Sequence, residues 1–182
     1  GHDIRRLDLG GGLGIPYQQT NEAPPLPFEY GALIKRTVGH LGCEIQIEPG
    51  RLIAGNAGLL VASVIYRKSG EERDFLIIDA AMNDLIRPAM YGAWHDIVPI
   101  AEPGPDTPVG PVDVVGPICE TGDFLARGRM MPMMKRRDLI AIFSAGAYGM
   151  SMNPNYKHHR RPAQVLVEGD RVNGMQQRQA PG

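Results

Sequence analysis

"GPICETGD", Gly116 to Asp123, sets a thiol among carboxylates: Cys119 and Glu120 are adjacent, and Asp123 follows. Such a group suits proton transfer. A thiolate nucleophile would need a positive neighbour, which these carboxylates do not supply, and a buried structural cysteine is the commoner fate of the residue. In "DAAMNDLIRPAMYGAWH", Arg87 and Tyr91 stand four positions apart. On a helical turn they face the same way and together could grip a carboxylate; a capped surface turn with Tyr91 half-buried fits the same letters. "EPGR" offers Glu48, able to pair with a cationic ring nitrogen, and Arg51, a forked donor for phosphate or carboxylate, with Gly50 between them. Standing alone, that stretch reads better as a surface turn with an exposed ion pair. Tyr148 lies between small residues in "SAGAYGMSMN". Small neighbours either let a ligand approach the backbone or allow tight strand packing.

The densest signal is "LDLGGGLGIPY", with Gly10, Gly11 and Gly12 in succession. A run of backbone N–H groups after a strand makes a concavity for anions, phosphate above all. Glycine lets the backbone come close to such a guest. The loop is neither of the common nucleotide motifs: the sixth position counted from Gly10 is Ile15, and no G-K-[ST] follows. A tight turn packed on a neighbour is an equally good reading of the run by itself.

These groups need elements to hold them. Ile4 to Leu9 reads as a short strand entering the loop. "PFEYGALIKRTVGHLG" places Tyr30, Leu33, Ile34, Val38 and Leu41 at helical spacing, and Gly42 fits a stop. "CEIQIEPG" alternates as a strand. Strand, helix, strand is the parallel unit, and ligands in parallel α/β folds sit at the C-terminal ends of strands. The connection from Gly10 to Pro27 is long, as functional loops often are. Beyond Arg51 the texture changes. "LVASVIYRK" and "DFLIIDAA" read as a hairpin joined by "SGEER", and "VDVVG", "DLIAIFSAG" and "AQVLVEGDRV" are further β runs. The expectation is an α/β segment over 1–58 and a mostly antiparallel β domain over 59–182, with the polar tail "NGMQQRQAPG" frayed. One strand–helix–strand unit leaves open edges and an uncovered face, so the chain is expected to start inside a domain.

Composition bounds the rest. The chain has 182 residues, 43% hydrophobic and 21% charged, with a formal net charge of −1. That is ordinary globular composition, with no electrostatic footprint for nucleic acid or membrane. The basic clusters Lys135–Arg137 and Lys157–Arg161 lack interleaved aromatics and read as solvated surface. Cys43 and Cys119 show neither a disulfide framework nor metal-ligand spacing, and adjacent His158 and His159 lack the spacing of a helical metal pair. No metal is expected, and a reducing cytoplasm is the expected compartment. No apolar run approaches the ~20 residues of a membrane span, and the N-terminal stretch lacks the apolar core of a signal peptide.

In order along the chain, "LDLGGGLGIPY", "EPGR", "DAAMNDLIRPAMYGAWHDI", "ICETGDFLA" and "SAGAYGMSMNPNY" resemble the diaminopimelate decarboxylases. These are fold-type III enzymes dependent on pyridoxal 5'-phosphate, built from a (β/α)8 barrel and a β domain and working as homodimers with shared active sites. The resemblance implies that residues 1–58 end the barrel. It implies that Gly10, Gly11 and Gly12 offer amides to the cofactor phosphate, and that Glu48 faces the pyridine nitrogen. Gly50 and Arg51 would complete the phosphate site, with Arg51 also reaching the substrate. Arg87 and Tyr91 would bind the distal end of diaminopimelate, and Tyr148 would lie against cofactor and substrate. Cys119, as proton donor, and Glu120, as substrate ligand, would serve the partner subunit's site. Donating a proton needs no thiolate, which suits a cysteine among carboxylates.

The family's cofactor-tethering lysine sits early in its barrel, and none of the four lysines here (Lys35, Lys68, Lys135, Lys157) stands in such a place. A partial enzyme, inactive alone, is therefore expected. "YKHHRRPAQV" replaces smaller polar residues, and "KRRDLIAIF" lacks the usual Pro-Gly, but neither change touches a proposed site position. The nearest alternative is a related decarboxylase of ornithine, arginine or carboxynorspermidine; "MNDLIRPAMY" with "CETGD" favours diaminopimelate. A non-catalytic regulatory homologue is a second alternative, against which the presence of Arg51, Cys119 and Glu120 argues. A carbohydrate-binding β module is the least favoured.

Overall fold

The computed structural model describes residues 2–18 and 23–180, so part of the long connection after the glycine loop and the last two residues of the tail lie outside it. Strands β1 (Arg6–Asp8) and β2 (Glu44–Gln46) are parallel neighbours with Leu7 opposite Ile45. Helix α1 (Pro27–Thr37) joins them. Pro27 presets the first helical φ, and the Glu29 carboxylate accepts the Leu26 N–H at 2.8 Å. Glu29 near the start and Lys35 and Arg36 in the last turn oppose the helix dipole. The helix stops earlier than its apolar spacing suggests: Gly39–Leu41 is a tighter 3₁₀ turn, closed by Gly42 at φ 69°. None of the described α1 residues is buried, so its apolar stripe faces no core here.

The core lies in a six-stranded sheet. Its strands are β3 (Leu60–Ser69), β4 (Asp74–Ile78), β5 (Ile97–Pro99), β6 (Val109–Val115), β7 (Phe124–Pro132) and β8 (Leu139–Ile142). The spatial order is β5-β8-β3-β4-β6-β7, and every pairing is antiparallel except β4 with β6. Val64, Leu76, Ile78, Val112, Val114, Leu125, Met131, Ile140 and Ile142 pack together behind it. The β3–β4 hairpin forms at "SGEER" as expected, with the Gly70 N–H on the Arg73 carbonyl at 3.2 Å.

Two strands were invisible to pattern reading. β7 carries Arg127, Gly128 and Arg129 in its middle, which breaks the apolar alternation. Gly128 takes φ 57° where the register with β6 shifts, and buried Arg129 stacks its guanidinium 3.3 Å from the Trp94 ring centroid. β5 is only three residues long. The tail also differs from expectation. β9 (Gln164–Glu168) pairs antiparallel with β10 (Arg171–Gln176), so "NGMQ" is strand rather than frayed tail. Gly174 sits at a register shift and β10 is fully exposed, so the letters after Val172 read as polar chain.

One seam positions the site. The Ala145 N–H donates to the Gly58 carbonyl at 2.8 Å and the Gly146 N–H to the Gly55 carbonyl at 3.0 Å. A Cβ on Gly146 would overlap the Ala54 carbonyl oxygen. The small residues around Tyr148 therefore let two backbones touch, in a turn rather than in a strand. This contact locks helix α2 (Gly50–Ala54), which carries Arg51, against the turn that carries Tyr148.

Candidate active site

Arg51, Arg87, Tyr91, Tyr148 and Met152 line one cavity of about 350 Å³. They come from three separate stretches of chain. Arg51 is on α2. Arg87 and Tyr91 are the two ends of a five-residue helix, α3 (Arg87–Tyr91), which starts at Arg87-Pro88 and is closed by Gly92 at φ 61°. Tyr148 sits at φ 66° in the turn after β8, its ring centroid 5.6 Å from the Arg51 guanidinium carbon. Four residues singled out in the sequence thus converge.

The cavity is cationic. Among the described residues no carboxylate forms an ion pair with Arg51 or Arg87. The Arg51 Nε is buried and has no partner there. A buried guanidinium nitrogen without an acceptor is costly, so this pair of cations suits an anionic ligand. Arg87, buried, is held by two residues that spacing did not reveal. Its Nη1 lies 2.9 Å from His95 Nε2, and its guanidinium carbon 4.4 Å from the Tyr17 ring centroid. His95 is itself fully buried, with Nδ1 2.9 Å from the Phe143 carbonyl. Burial pushes His95 below the ordinary histidine value. The neutral ring donates from Nδ1–H to Phe143 and accepts from Arg87 at Nε2. Tyr17 meets His95 edge-on at 5.1 Å between centroids. The local signal for these two was slight: Tyr17 ends the "GIPY" run, and His95 follows Tyr91 by one helical spacing.

A roomier cleft of about 720 Å³ is lined by Tyr17 together with Trp94, Val98, Phe143 and Arg129.

The glycine loop stands at the ends of β1 and β2. Gly10 and Gly12 take φ 70° and 96°, conformations that disfavour a side chain. Two of its candidate amides are engaged internally: Gly10 N–H donates to Asp8 Oδ1 and Gly50 N–H to the Glu48 carbonyl, each at 2.8 Å. Glu48 N–H in turn donates to the Gly10 carbonyl at 2.8 Å, and a Cβ on Gly11 would come 2.7 Å from the Glu48 carbonyl oxygen. The Gly11 and Gly12 amides find no acceptor among the described residues. The Glu48 side chain is exposed at the strand end and does not line the arginine cavity.

Cys119 and Glu120 lie elsewhere, on an exposed arm between β6 and β7. Neither lines the arginine cavity. Their neighbour Asp123 is buried and serves as a brace: its carboxylate accepts the Met82 and Ile118 N–H groups, each at 2.6 Å. Burial pushes its carboxyl above the ordinary range. Glu120 accepts the Tyr156 hydroxyl at 3.0 Å, and the Lys157 ammonium donates to the Cys119 carbonyl. The second basic cluster is therefore only partly solvated surface. Lys157 binds the arm, and His159 Nε2 lies 3.0 Å from Asp84.

A strand-end glycine loop, a cationic cavity and a mixed six-stranded sheet define the class. Residues 17–146 match the family model "Pyridoxal-dependent decarboxylase, C-terminal sheet domain". The chain belongs to the pyridoxal-dependent decarboxylases. It is 47% identical over 180 residues to the diaminopimelate decarboxylase of Vibrio cholerae, covering 98% of this chain and 42% of that protein. It is 49% identical over 171 residues to the diaminopimelate decarboxylase of Haemophilus influenzae, covering 93% and 40%. The crystal structure of Helicobacter pylori diaminopimelate decarboxylase complexed with L-lysine superposes with a TM-score of 0.87 at 35% identity, over 98% of this chain and 43% of that one. The chain thus spans less than half the length of these relatives.

Proposed function

We propose that the chain forms part of a pyridoxal-dependent decarboxylase that converts meso-2,6-diaminopimelate to L-lysine and carbon dioxide. The observation that carries this reading is the convergence of Arg51, Arg87, Tyr91 and Tyr148 on one cation-lined cavity. Residues 1–58 read as the end of the (β/α)8 barrel and 59–182 as the β domain. The working form is a homodimer in the cytoplasm.

The residues present fit the cofactor. Gly11 and Gly12 have amides to offer to its phosphate, and Arg51 has a buried Nε without a partner. Gly10 and Gly50, whose amides are engaged, shape the loop around it. Glu48, at the end of β2, would keep the pyridine nitrogen protonated. Once bound, the ring supplies a sink for the electron pair left when carbon dioxide departs.

The chain's own residues do the rest. Arg87 and Tyr91 hold the carboxylate at the far end of the substrate. Arg87 is fixed by neutral His95 and by the Tyr17 face, so it meets the substrate preorganised. A second basic amino acid without that distal carboxylate leaves Arg87 unpaired, which favours diaminopimelate over ornithine or arginine. Arg51 bridges phosphate and substrate, and Tyr148 packs over the cofactor. The Cys119 thiol returns the proton to the reacting carbon, and Glu120 binds the substrate ammonium. Both do so in the partner's site, because on their own chain they stand outside the cavity.

None of the chain's four lysines lines that cavity. The 182 residues incubated with pyridoxal phosphate are expected to release no carbon dioxide from meso-diaminopimelate. The full-length enzyme is expected to do so, and to leave ornithine and arginine essentially untouched. Equal turnover of ornithine would overturn the substrate assignment.

A further inference from the structure

The loop Asn153–His159 is fastened by four hydrogen bonds to Asn83 and Asp84. Asn83 Nδ2 donates to the carbonyls of Pro154 at 2.8 Å and Tyr156 at 3.0 Å. His159 Nε2 meets buried Asp84 at 3.0 Å, and Asn153 Nδ2 reaches the other Asp84 oxygen at 3.4 Å. Asp84 is itself fixed by the Ala81 N–H at 2.8 Å. This clamp belongs to the segment that leads directly into α3, and it holds the backbone of the loop without using the Tyr156 or Lys157 side chains. Those two side chains project to the arm: Tyr156 donates its hydroxyl to Glu120, and Lys157 donates to the Cys119 carbonyl.

We propose that Tyr156 is a positioning residue, whose hydroxyl aims the Glu120 carboxylate for the substrate ammonium while Lys157 steadies the backbone of Cys119. The proposal rests on the reading of Glu120 as a substrate ligand. An exposed glutamate on a free loop samples many rotamers, and ordering it at the moment of binding costs affinity. A clamped tyrosine removes part of that cost beforehand. The hydroxyl also stabilises the ionised form, holding Glu120 below the ordinary carboxylate range, with backbone N–H groups of Gly122 and Thr121 and the Lys157 charge adding to it. Reciprocally, the Glu120 carboxylate raises the Tyr156 phenol. Arg73, Arg127, Asp113 and Asp123 line the depression beside Glu120 and are the other charges that face it.

Lys157 and His158 take φ 51° and 60°. Two successive residues in the left-handed region are disfavoured, and the clamp on Asn83 and Asp84 holds them there. The strain places the Lys157 ammonium at the arm.

The test uses the full-length enzyme and two readouts. The first is the ultraviolet titration of tyrosine, taken as the difference between wild type and Tyr156→Phe, and repeated in the Glu120→Gln background. The Tyr156 phenol is expected to titrate lower once Glu120 is neutral. The second is steady-state kinetics with meso-diaminopimelate. Tyr156→Phe is expected to raise KM by roughly 2- to 10-fold with kcat changed little. The double variant Glu120→Gln/Tyr156→Phe is expected to match Glu120→Gln alone. If Glu120→Gln raises KM while Tyr156→Phe does not, Glu120 binds substrate unaided and the positioning role is wrong. If Glu120→Gln leaves KM unchanged, the substrate-ligand reading of Glu120 fails, and the positioning role with it. A Tyr156 titration indifferent to Glu120 removes the contact itself.

Discussion

The arginine cavity and the Cys119–Glu120 arm are both built from the letters that carry chemistry, yet they are opposite kinds of site. The cavity is walled on several sides by its own chain. Its key cation, Arg87, is buried and gripped by a neutral imidazole and an aromatic face. The arm is exposed, with its backbone anchored by buried Asp123 and with Cys119 and Glu120 exposed. A buried cation without a carboxylate is half of a binding site waiting for an anion. An exposed thiol and carboxylate on a braced loop are half of a site waiting for a wall. Under the proposed function the two halves have different roles: the cavity would receive the substrate, and the arm would reach into another subunit's cavity.

Substitutions separate the two regions. The largest effect is expected from Arg87→Ala, which removes the proposed substrate clamp and strips His95 of its donor. In the full-length enzyme kcat/KM for diaminopimelate should fall on the order of 100-fold. Arg87→Lys should recover little of it, because a point charge reproduces neither the fork nor the stacking. A wild-type rate in Arg87→Ala would dismantle the cavity half of the comparison.

Next in size is Gly146→Ala. Its Cβ overlaps the Ala54 carbonyl and should part the seam between α2 and the Tyr148 turn, lowering stability by about 1–3 kcal/mol in urea unfolding. A smaller effect concerns pH. His95 has its pKa lowered by burial, so on acidification the unfolded chain takes the proton first. Stability from this group is full above the ordinary histidine range and is lost as pH falls from that range toward the lowered value of the folded chain. Melting curves between pH 7.5 and 5.5, values set by about one unit either side of that range, should show Tm falling by roughly 2–4 °C. The slope should flatten in His95→Gln. The smallest effect belongs to the arm. Cys119→Ala should move Tm by less than about 2 °C while cutting turnover sharply. A large loss of stability there would mean that Cys119 is structural.

Much of this contrast was legible in the sequence, and the rest was hidden for definite reasons. The strand–helix–strand opening, the β3–β4 hairpin and β8 follow from alternation, spacing and turn residues. Arg87 and Tyr91 share a helical turn as their spacing implied. Arg51, Tyr148 and Arg87 were each readable as ligand residues, but the meeting of Arg51 with Tyr148 depends on the Gly58–Gly146 seam, a contact between distant segments that no local pattern encodes. His95 and Tyr17 support Arg87 through the same kind of long-range packing. β7 was masked by its central arginines, one of which is buried under Trp94. β9 was read as a β run, but the second half of β10 was masked by a bulge at Gly174 and by full exposure. The cluster at Lys157–Arg161 read as solvent-facing because its partners, Cys119 and Asp84, lie far away in sequence.

Subunit mixing tests the division of labour most directly. Full-length Arg87→Ala and Cys119→Ala are each expected to be nearly inactive as homodimers. When the two are unfolded together and refolded, half of the dimers are mixed, and in a mixed dimer one of the two shared sites is intact. Recovery of about a quarter of wild-type turnover is the expected result. No recovery, in preparations shown to contain mixed dimers, would place Cys119 and Arg87 in the same subunit's site and contradict it.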